Sequence, residues 1–495
     1  MLDQNEIRQL FQDMWTLHQL ERVWLDQIYD YMTGMRGVPS TPDGSAQEVE
    51  TLAKLSIKNV LPLIRDSFTQ NLSVVGYRTA TAMDNAAAWD IWQRNRMDAR
   101  QAEVYRPAVS YGASYVTIMR DEDAGGSVWR IRSPRQLLAV YEEPALDLWP
   151  QYALEMWVDQ TDAHAKWRAR FYDDEYVYPL TLGGITVLPI DQYAMSVERA
   201  ATIREFGDPV RHGATVCPVV RFVNARDADD LIVGEIGPLI HDQQAINSVN
   251  FDRLIVSRFG AFPQKVITGW APSSNDDVLT ASARRVWAFD DPEVKAQSFP
   301  PASLDQYNGV LTEMTEAVAL KAQISPSQIT GKLVNVSAEA LAAAEANQQR
   351  KLASKRESFG ESWEQCFRLA SALEGDMDSA ADTSSEVQWR DTEARAFGAI
   401  VDGVTKLAAA GIPIQELLPL IPGISQQQQQ GIKDALRQNQ VNELLGLLQQ
   451  AAPPPTGSSP VGAAAAPQQQ SPAAAPIPTA TSAPSPANMP QTRAG

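Results

Sequence analysis

From Ser337 to Leu373 nothing in the chain breaks a helix except Gly360, and no other stretch limits the possible folds so strongly. Ser337 is a good N-cap and Glu339 sits favourably in the first turn. At about 1.5 Å per residue this helix would be about 55 Å long. Its apolar positions Leu352, Phe359, Trp363, Cys366 and Ala370 share one face, whereas Ala338 to Ala346 is nearly all small residues. A helix with so uneven a burden is expected to bend or to span two environments.

The residues before it read as two more helices around an insert. Gly237 to Gly260 carries Pro238 in its first turn and a glycine where it should stop, and spans about 30 Å. From Leu304 to Ala322 the positions Leu304, Tyr307, Leu311, Met314 and Val318 follow the spacing of a helix packed along one side, and Pro326 lies beyond its end. Between them, 261–303 holds short β-like runs, Gln264 to Thr268, Val286 to Phe289 and Ala296 to Phe299, split by turn residues at Pro272 to Asn275. Ser327 to Val336 is polar, contains Gly331, and reads as a loop.

Upstream, Asp3 to Met32 has the apolar spacing of a long amphipathic helix. Gln47 to Leu72 reads as a second one kinked at Pro62, and further helical pattern covers Asn85 to Met97 and Ala99 to Tyr111. After Gly112 come short runs rich in β-branched and aromatic residues, 115–119, 128–132, 137–141, 152–159, 166–172, 176–182 and 219–224, expected to form an antiparallel sheet. Downstream, 391–411 and 425–449 read as helices, and from about Ala451 an Ala/Pro/Gln/Ser/Thr tail is expected to be disordered. The fold class is therefore α+β, mainly helical. With 495 residues, 44% of them hydrophobic, about three structural units are expected.

Chemistry is hard to place on this frame. His18, His164, His212 and His241 are scattered singly, without a metal-binding spacing. Gly331-Lys332 fails as a phosphate loop, because Pro326 stands where a glycine is needed and Leu333 where a Ser or Thr is needed. Asp290, Asp291, Glu293 and Lys295 resemble a nuclease set but crowd into one turn, whereas such sites draw their acids from separated strands. Asp173, Asp174 and Glu175, and Asp227, Asp229 and Asp230, read as solvated loop faces. Cys217 and Cys366 lie far apart and suggest no disulfide framework, which fits a reducing compartment. The first residues resemble no leader, and no apolar run reaches the roughly 18 residues of a membrane span, so the chain reads as soluble. A net charge of −18 argues against a surface that grips nucleic acid nonspecifically. Against that background Arg350, Lys351, Lys355 and Arg356 form a basic cluster, read either as a solvated helix face or as a contact with a polyanion or an acidic neighbouring subunit.

From Leu2 to Gln450 the order of segments resembles the portal proteins of long-tailed bacteriophages, the head-to-tail connector family. The carriers are Lys58-Asn-Val-Leu-Pro-Leu-Ile-Arg-Asp66 running into Leu72-Ser-Val-Val-Gly-Tyr77, and Tyr111-Gly-Ala-Ser-Tyr-Val-Thr-Ile118 leading into the sheet. Pro238-Leu-Ile-His-Asp-Gln-Gln-Ala-Ile-Asn247 through Arg258-Phe-Gly-Ala-Phe-Pro-Gln264 also match, as does Ile324-Ser-Pro-Ser-Gln-Ile-Thr-Gly331 followed by Ser337-Ala-Glu-Ala-Leu341. The resemblance implies a portal-type architecture: a wing at 1–235, a first stem helix at 236–260, a clip at 261–303 and a second stem helix at 304–323. It further implies a tunnel loop at 324–336, a long kinked wing helix at 337–375 and a helical crown at 376–450, with 451–495 as tail.

It also implies a non-enzymatic ring of twelve copies in the virion, at the capsid vertex, assembled in the host cytoplasm, through which double-stranded DNA passes during packaging and ejection. The implied partners are the terminase large subunit, the major capsid protein and a head–tail adaptor, with no cofactor and no membrane. Gln328, Thr330, Lys332 and Asn335 become candidates for the loop facing DNA, and Arg284, Arg285 and Trp287 of the clip for docking the motor or adaptor. A bore repeated around a ring must not grip the duplex, which gives the acidic charge a role. A metal-dependent nuclease and a non-ring scaffold are the alternatives.

Overall fold

The computed structural model describes residues 1–79, 86–121, 125–159, 166–183, 201–260, 265–268, 295–298, 303–331, 338–390, 397–413, 417 and 431–438. The chain divides into two compact units, Met1–Lys433 and Asp434–Gly495, and every element named below lies in the first. The tail expected to be disordered, the run Val286 to Phe289 and most of 425–449 fall outside the described residues.

The N-terminal helix α1 (Gln4–Thr33) opens on a capping box: the Asp3 side chain accepts from the amides of Asn5 and Glu6, and Glu6 accepts from the Asp3 amide at 2.7 Å. It serves two cores. Ile7, Phe11, Met14 and Trp15 pack on a sheet described below, while Ile28, Tyr31 and Met32 enter the main core. Next come α2 (Gln47–Leu55) and α3 (Leu61–Thr69), separate helices where one kinked helix was expected. Pro62 sits in the first turn of α3, where its missing N–H costs nothing. The break at 56–60 is held open by side chains from another helix, a constraint that the local pattern does not carry.

After β1 (Val74–Arg78), α4 (Ala86–Arg94) and α5 (Met97–Tyr111) come nine strands. They are β2 (Ala113–Asp121), β3 (Gly126–Arg132), β4 (Leu137–Val140), β5 (Tyr152–Asp159), β6 (Lys166–Tyr172), β7 (Tyr176–Gly183), β8 (Thr202–Phe206), β9 (Val210–Arg211) and β10 (Val219–Val223). The strands are antiparallel, as read, but make two sheets rather than one. In the first, β10 returns to pair with β2, which pairs with β3; the second runs β4-β5-β6-β7-β8, with β9 also on β7. The tight turn after β3, where the Gln136 amide donates to the Ser133 carbonyl at 2.8 Å, redirects the chain into the second sheet. β8 and β9 escaped the sequence reading because they are largely exposed edge strands without apolar alternation. Asp173, read as solvated, is 4% exposed: it accepts the amides of Glu175 and Tyr176 and the Tyr178 hydroxyl, closing the β6–β7 turn.

A single 3-10 turn, Gly237–Leu239, leads into α6 (Ile240–Gly260). α6 ends at a two-stranded ladder of β11 (Lys265–Thr268) and β12 (Lys295–Ser298), from which α7 (Asp305–Ala322) returns. Arg253 near the far end of α6 donates to Asn308 at the start of α7, and Lys321 at the end of α7 pairs with Asp242 at 2.7 Å, so the two helices are antiparallel. The segment read as a loop after Pro326 contains a short helix, α8 (Pro326–Thr330), started by that proline and stopped by Gly331 at φ 68°.

The long helix α9 spans Ala338–Glu374, one residue from the expected start and end, and passes through Gly360 unbroken. Its Trp363 anchors the main core. Phe222, Trp92 and Trp129 surround it at centroid distances of 4.6, 5.0 and 5.9 Å, and its Nε1–H donates to the Tyr105 hydroxyl at 2.9 Å. At its far end Glu374 accepts from Arg94 and from the Ser127 amide. Then follow α10 (Met377–Ala381), β13 (Glu386–Trp389) and α11 (Phe397–Ala409). β13, unread in the sequence, pairs antiparallel with β1 and places Val387 in the main core. Among the described residues no helix is long and apolar enough to cross a membrane.

Candidate functional site: the joint of α6, α7 and α9

Three chain segments far apart in sequence converge where α6 begins and α7 ends. The segment leading to α6 passes against the end of α5, so closely that a Cβ on Gly234 would stand 2.3 Å from the Ser110 carbonyl oxygen. Only glycine fits there. The next residue, Glu235, is seated by its amide, which donates to the Val109 carbonyl at 2.7 Å.

The Glu235 carboxylate lies between two ammonium groups of α9, with Lys355 Nζ 2.5 Å from Oε1 and Lys351 Nζ 2.5 Å from Oε2. Lys355 is 2% exposed and also donates to Asn224 Oδ1, at the end of β10; Lys351 reaches the carbonyl of Ala322, the last residue of α7. Both ammoniums lie over the Phe68 ring. The Glu235 carboxylate thus ties the long helix to the segment that leads into α6, and Lys351 extends the tie to the end of α7. Burial alone would push the Glu235 carboxyl up, but Lys355 and Lys351 together outweigh it and hold the group below its usual range. Lys355 is held below the usual lysine range by burial, with Glu235 opposing and the like charge of Lys351 adding. The asymmetry follows from sharing: one anion gains from two cations, while each cation has half an anion and a repelling neighbour.

A second set of bonds fixes α6 to the break between α2 and α3. Gln243, Asn247 and Asn250, at spacings of four and three, sit on one face of α6 and are all buried. Gln243 accepts from the Val60 amide at 2.9 Å and donates to the Lys58 carbonyl at 2.8 Å. Asn247 accepts from the Lys58 amide and donates to the Gly37 carbonyl, and Asn250 donates to the Ser56 carbonyl at 2.7 Å. Backbone groups left over by the broken helix therefore find partners on α6.

The candidate loop residues divide. Gln328 is exposed, yet its amide donates to Gln348 of α9 at 2.8 Å, and Gln348 in turn donates to the Ser67 carbonyl of α3. Thr330 bonds back to the Pro326 carbonyl within α8. Lys332 and Asn335, and the clip candidates Arg284, Arg285 and Trp287, lie outside the described residues. The basic cluster is not one surface: Arg350 is exposed and reaches Asn347, Arg356 donates to the Asn71 carbonyl, and Lys351 and Lys355 face inward onto Glu235.

Glu235, Asn224 and Gln348 were not singled out in the sequence, because their partners lie a hundred or more residues away or on another element. The spacing of Gln243, Asn247 and Asn250 was a legible signal that had not been used. His18 is buried with Nε2 2.9 Å from the Pro134 carbonyl oxygen, and burial drops its pKa to about 4. His212 is buried, and His241 exposed. Both cysteines are buried and free. No group of three or more His, Cys, Asp or Glu side chains suited to a metal ion occurs among the described residues. Asp290, Asp291 and Glu293 are not among those residues, and Lys295 begins β12.

Comparison with known proteins bears on this arrangement as a whole. The portal protein of Mycobacterium phage D29 is 27% identical over 361 residues, covering 70% of this chain and 71% of that protein. The portal protein of Mycobacterium phage L5 is 25% identical over 364 residues, with the same coverage. A chain from a solved structure of the virion of a native gene transfer agent particle shares 12% identity at a TM-score of 0.39, covering 80% of this chain and 99% of that one, a likeness too slight to argue from. A family model described as phage portal protein, SPP1 Gp6-like, matches residues 49–442, which include most of α2, the joint, α6, α7 and the whole of α9. The chain belongs to the SPP1 Gp6-like family of phage portal proteins.

Proposed function

We propose that this portal protein works as a closed homo-oligomeric ring of twelve copies, with α6 and α7 as the stem, the segment around β11 and β12 as the clip, and residues 324–336 facing double-stranded DNA as it enters and leaves the head. Its place is the capsid vertex of the virion, beside the major capsid protein, after assembly in the host cytoplasm. There it receives the terminase large subunit during packaging and a head–tail adaptor afterwards. The family is structural rather than catalytic, and this reading gives the chain no chemical step.

The observation that carries the proposal is the joint itself. Glu235 fastens the segment leading into α6 to α9, Lys351 joins the end of α7 to the same helix, and Gln328 ties α8 to it through Gln348. A loop mounted on so braced a root can contact a moving polymer without the stem yielding. The net charge of −18 fits a bore that lets the duplex slide.

Deletion of Gln328 to Asn335 separates channel from scaffold. The shortened chain is expected to form rings like the parent while DNA packaging or retention falls at least tenfold in a complementation assay. Normal packaging by the deleted chain would remove the DNA-facing role, and loss of rings would make the segment a structural joint.

A further inference from the structure

A cavity of about 420 Å³ opens between α1, α3, α5 and the ends of β5 and β6. Its walls carry four guanidiniums, Arg22, Arg65, Arg106 and Arg135, beside an apolar surface that includes Trp157 and Val158, and no carboxylate lines it. Asp26 sits behind, pairing with Arg22 at 3.2 Å and Arg135 at 2.7 Å, and Asp66 pairs with Arg65. Arg106, exposed, makes no ion pair or hydrogen bond among the described residues. In a chain of net charge −18, four arginines on walls without a carboxylate, one of them the exposed Arg106, mark a socket for an anion that also brings apolar surface.

The chain carries a knob of that description. After β4, residues Glu142 to Leu146 are all exposed and include two acids, Glu142 and Glu143; the half-buried Asp147 follows, and Leu146 and Leu148 are 76% and 68% exposed. Leucines so bare on a rigid turn mark a contact surface. The turn is rigid: Asp147 accepts from the Glu143 amide at 2.7 Å, the Leu146 and Asp147 amides donate to the Glu143 carbonyl, and Gln365 of α9 holds the Leu148 carbonyl at 2.6 Å.

We infer that the acidic, leucine-tipped turn at 142–148 of one copy enters the arginine-lined cavity of the next. This rests on the ring reading above and names a contact that holds the ring. Charge and apolarity match on both sides. Because two different surfaces of the same chain meet, the contact is head-to-tail, the kind that closes a ring when its rotation permits. A charge-matched contact of this kind also makes assembly salt-sensitive.

The test uses full-length protein, with ring formation followed by native mass and negative-stain microscopy over a concentration series. Arg106→Glu, and separately the pair Glu142→Lys with Glu143→Lys, should each raise the concentration needed for rings at least tenfold. Combining them should recover most of that loss, and Arg106→Lys should assemble like the parent. Both sites are exposed and their side chains make no bond that holds the fold, so the rescue reads the contact rather than stability. Rings unchanged in both charge-reversed chains, or no recovery in the combined chain, would overturn this contact while leaving the ring intact as a proposal. A parent chain that never forms rings would overturn the ring reading itself.

Discussion

At the scale of residues, the joint between α6, α7 and α9 depends on one carboxylate shared by two ammoniums. Removing the anion leaves Lys355 buried and unpaired, and breaking such a buried pair costs about 3–5 kcal/mol. Glu235→Gln should therefore lower unfolding stability by about that amount in urea titrations, and adding Lys355→Met should return a large part of it. Recovery that fails would mean the lysine, not the charge balance, holds the joint. Because the Glu235 carboxyl is held below its usual range, its contribution is present above the ordinary carboxylate pKa and is lost as pH falls through the lower folded value. Glu364 has the opposite sign. Burial, partly opposed by the hydrogen bond from the Val387 amide, raises its pKa to about 6, so the folded state favours its protonated form. That advantage is complete below the ordinary carboxylate range and disappears as pH rises through about 6. Glu364→Gln keeps an acceptor for Val387 and should raise stability at pH 8 by about 1 kcal/mol after allowance for solvent screening, with no gain at pH 4. An equal gain at both pH values would show that ionisation is not the cause.

At the scale of elements, α6 is fastened sideways as well as at its start. Gln243 and Asn247 take up the amides of Val60 and Lys58, so Gln243→Ala should expose the Val60 amide to hydrogen exchange at least tenfold faster, while amides in β5 and β6 keep their protection. Uniform acceleration would point to general destabilisation instead. The same contacts explain where the sequence was readable. The ends of α9 were legible to within one residue because its N-cap and apolar face are local properties. Pro62 was equally visible, but whether a proline kinks a helix or starts a new one depends on partners for the neighbouring amides, and those lie on α6. β13 could not be read at all, since its partner β1 is some 300 residues away, as the Arg78–Glu386 ion pair across the ladder marks. The candidate basic cluster was legible as composition only. Which of its members faced inward was decided by Glu235, more than a hundred residues upstream.

At the scale of the whole molecule, the order of segments identified the family, because a helix, an insert, a returning helix, a loop and one very long helix leave few other arrangements of a chain this size. Chemistry was absent from the sequence reading for a related reason: an assembly protein works through surfaces, and surfaces are set by distant residues brought together. The acidic charge belongs here too. Spread over a ring it opposes retention of DNA, so the intact assembly should bind linear duplex DNA weakly, with a dissociation constant in the micromolar range or above at physiological salt. Tight binding at that salt would contradict a sliding bore. The central claim is tested most directly by imaging the purified full-length chain in the electron microscope together with its native mass. Closed rings of twelve copies around an open channel are predicted. A stable 54.3 kDa monomer at high concentration, even with capsid proteins present, would contradict it.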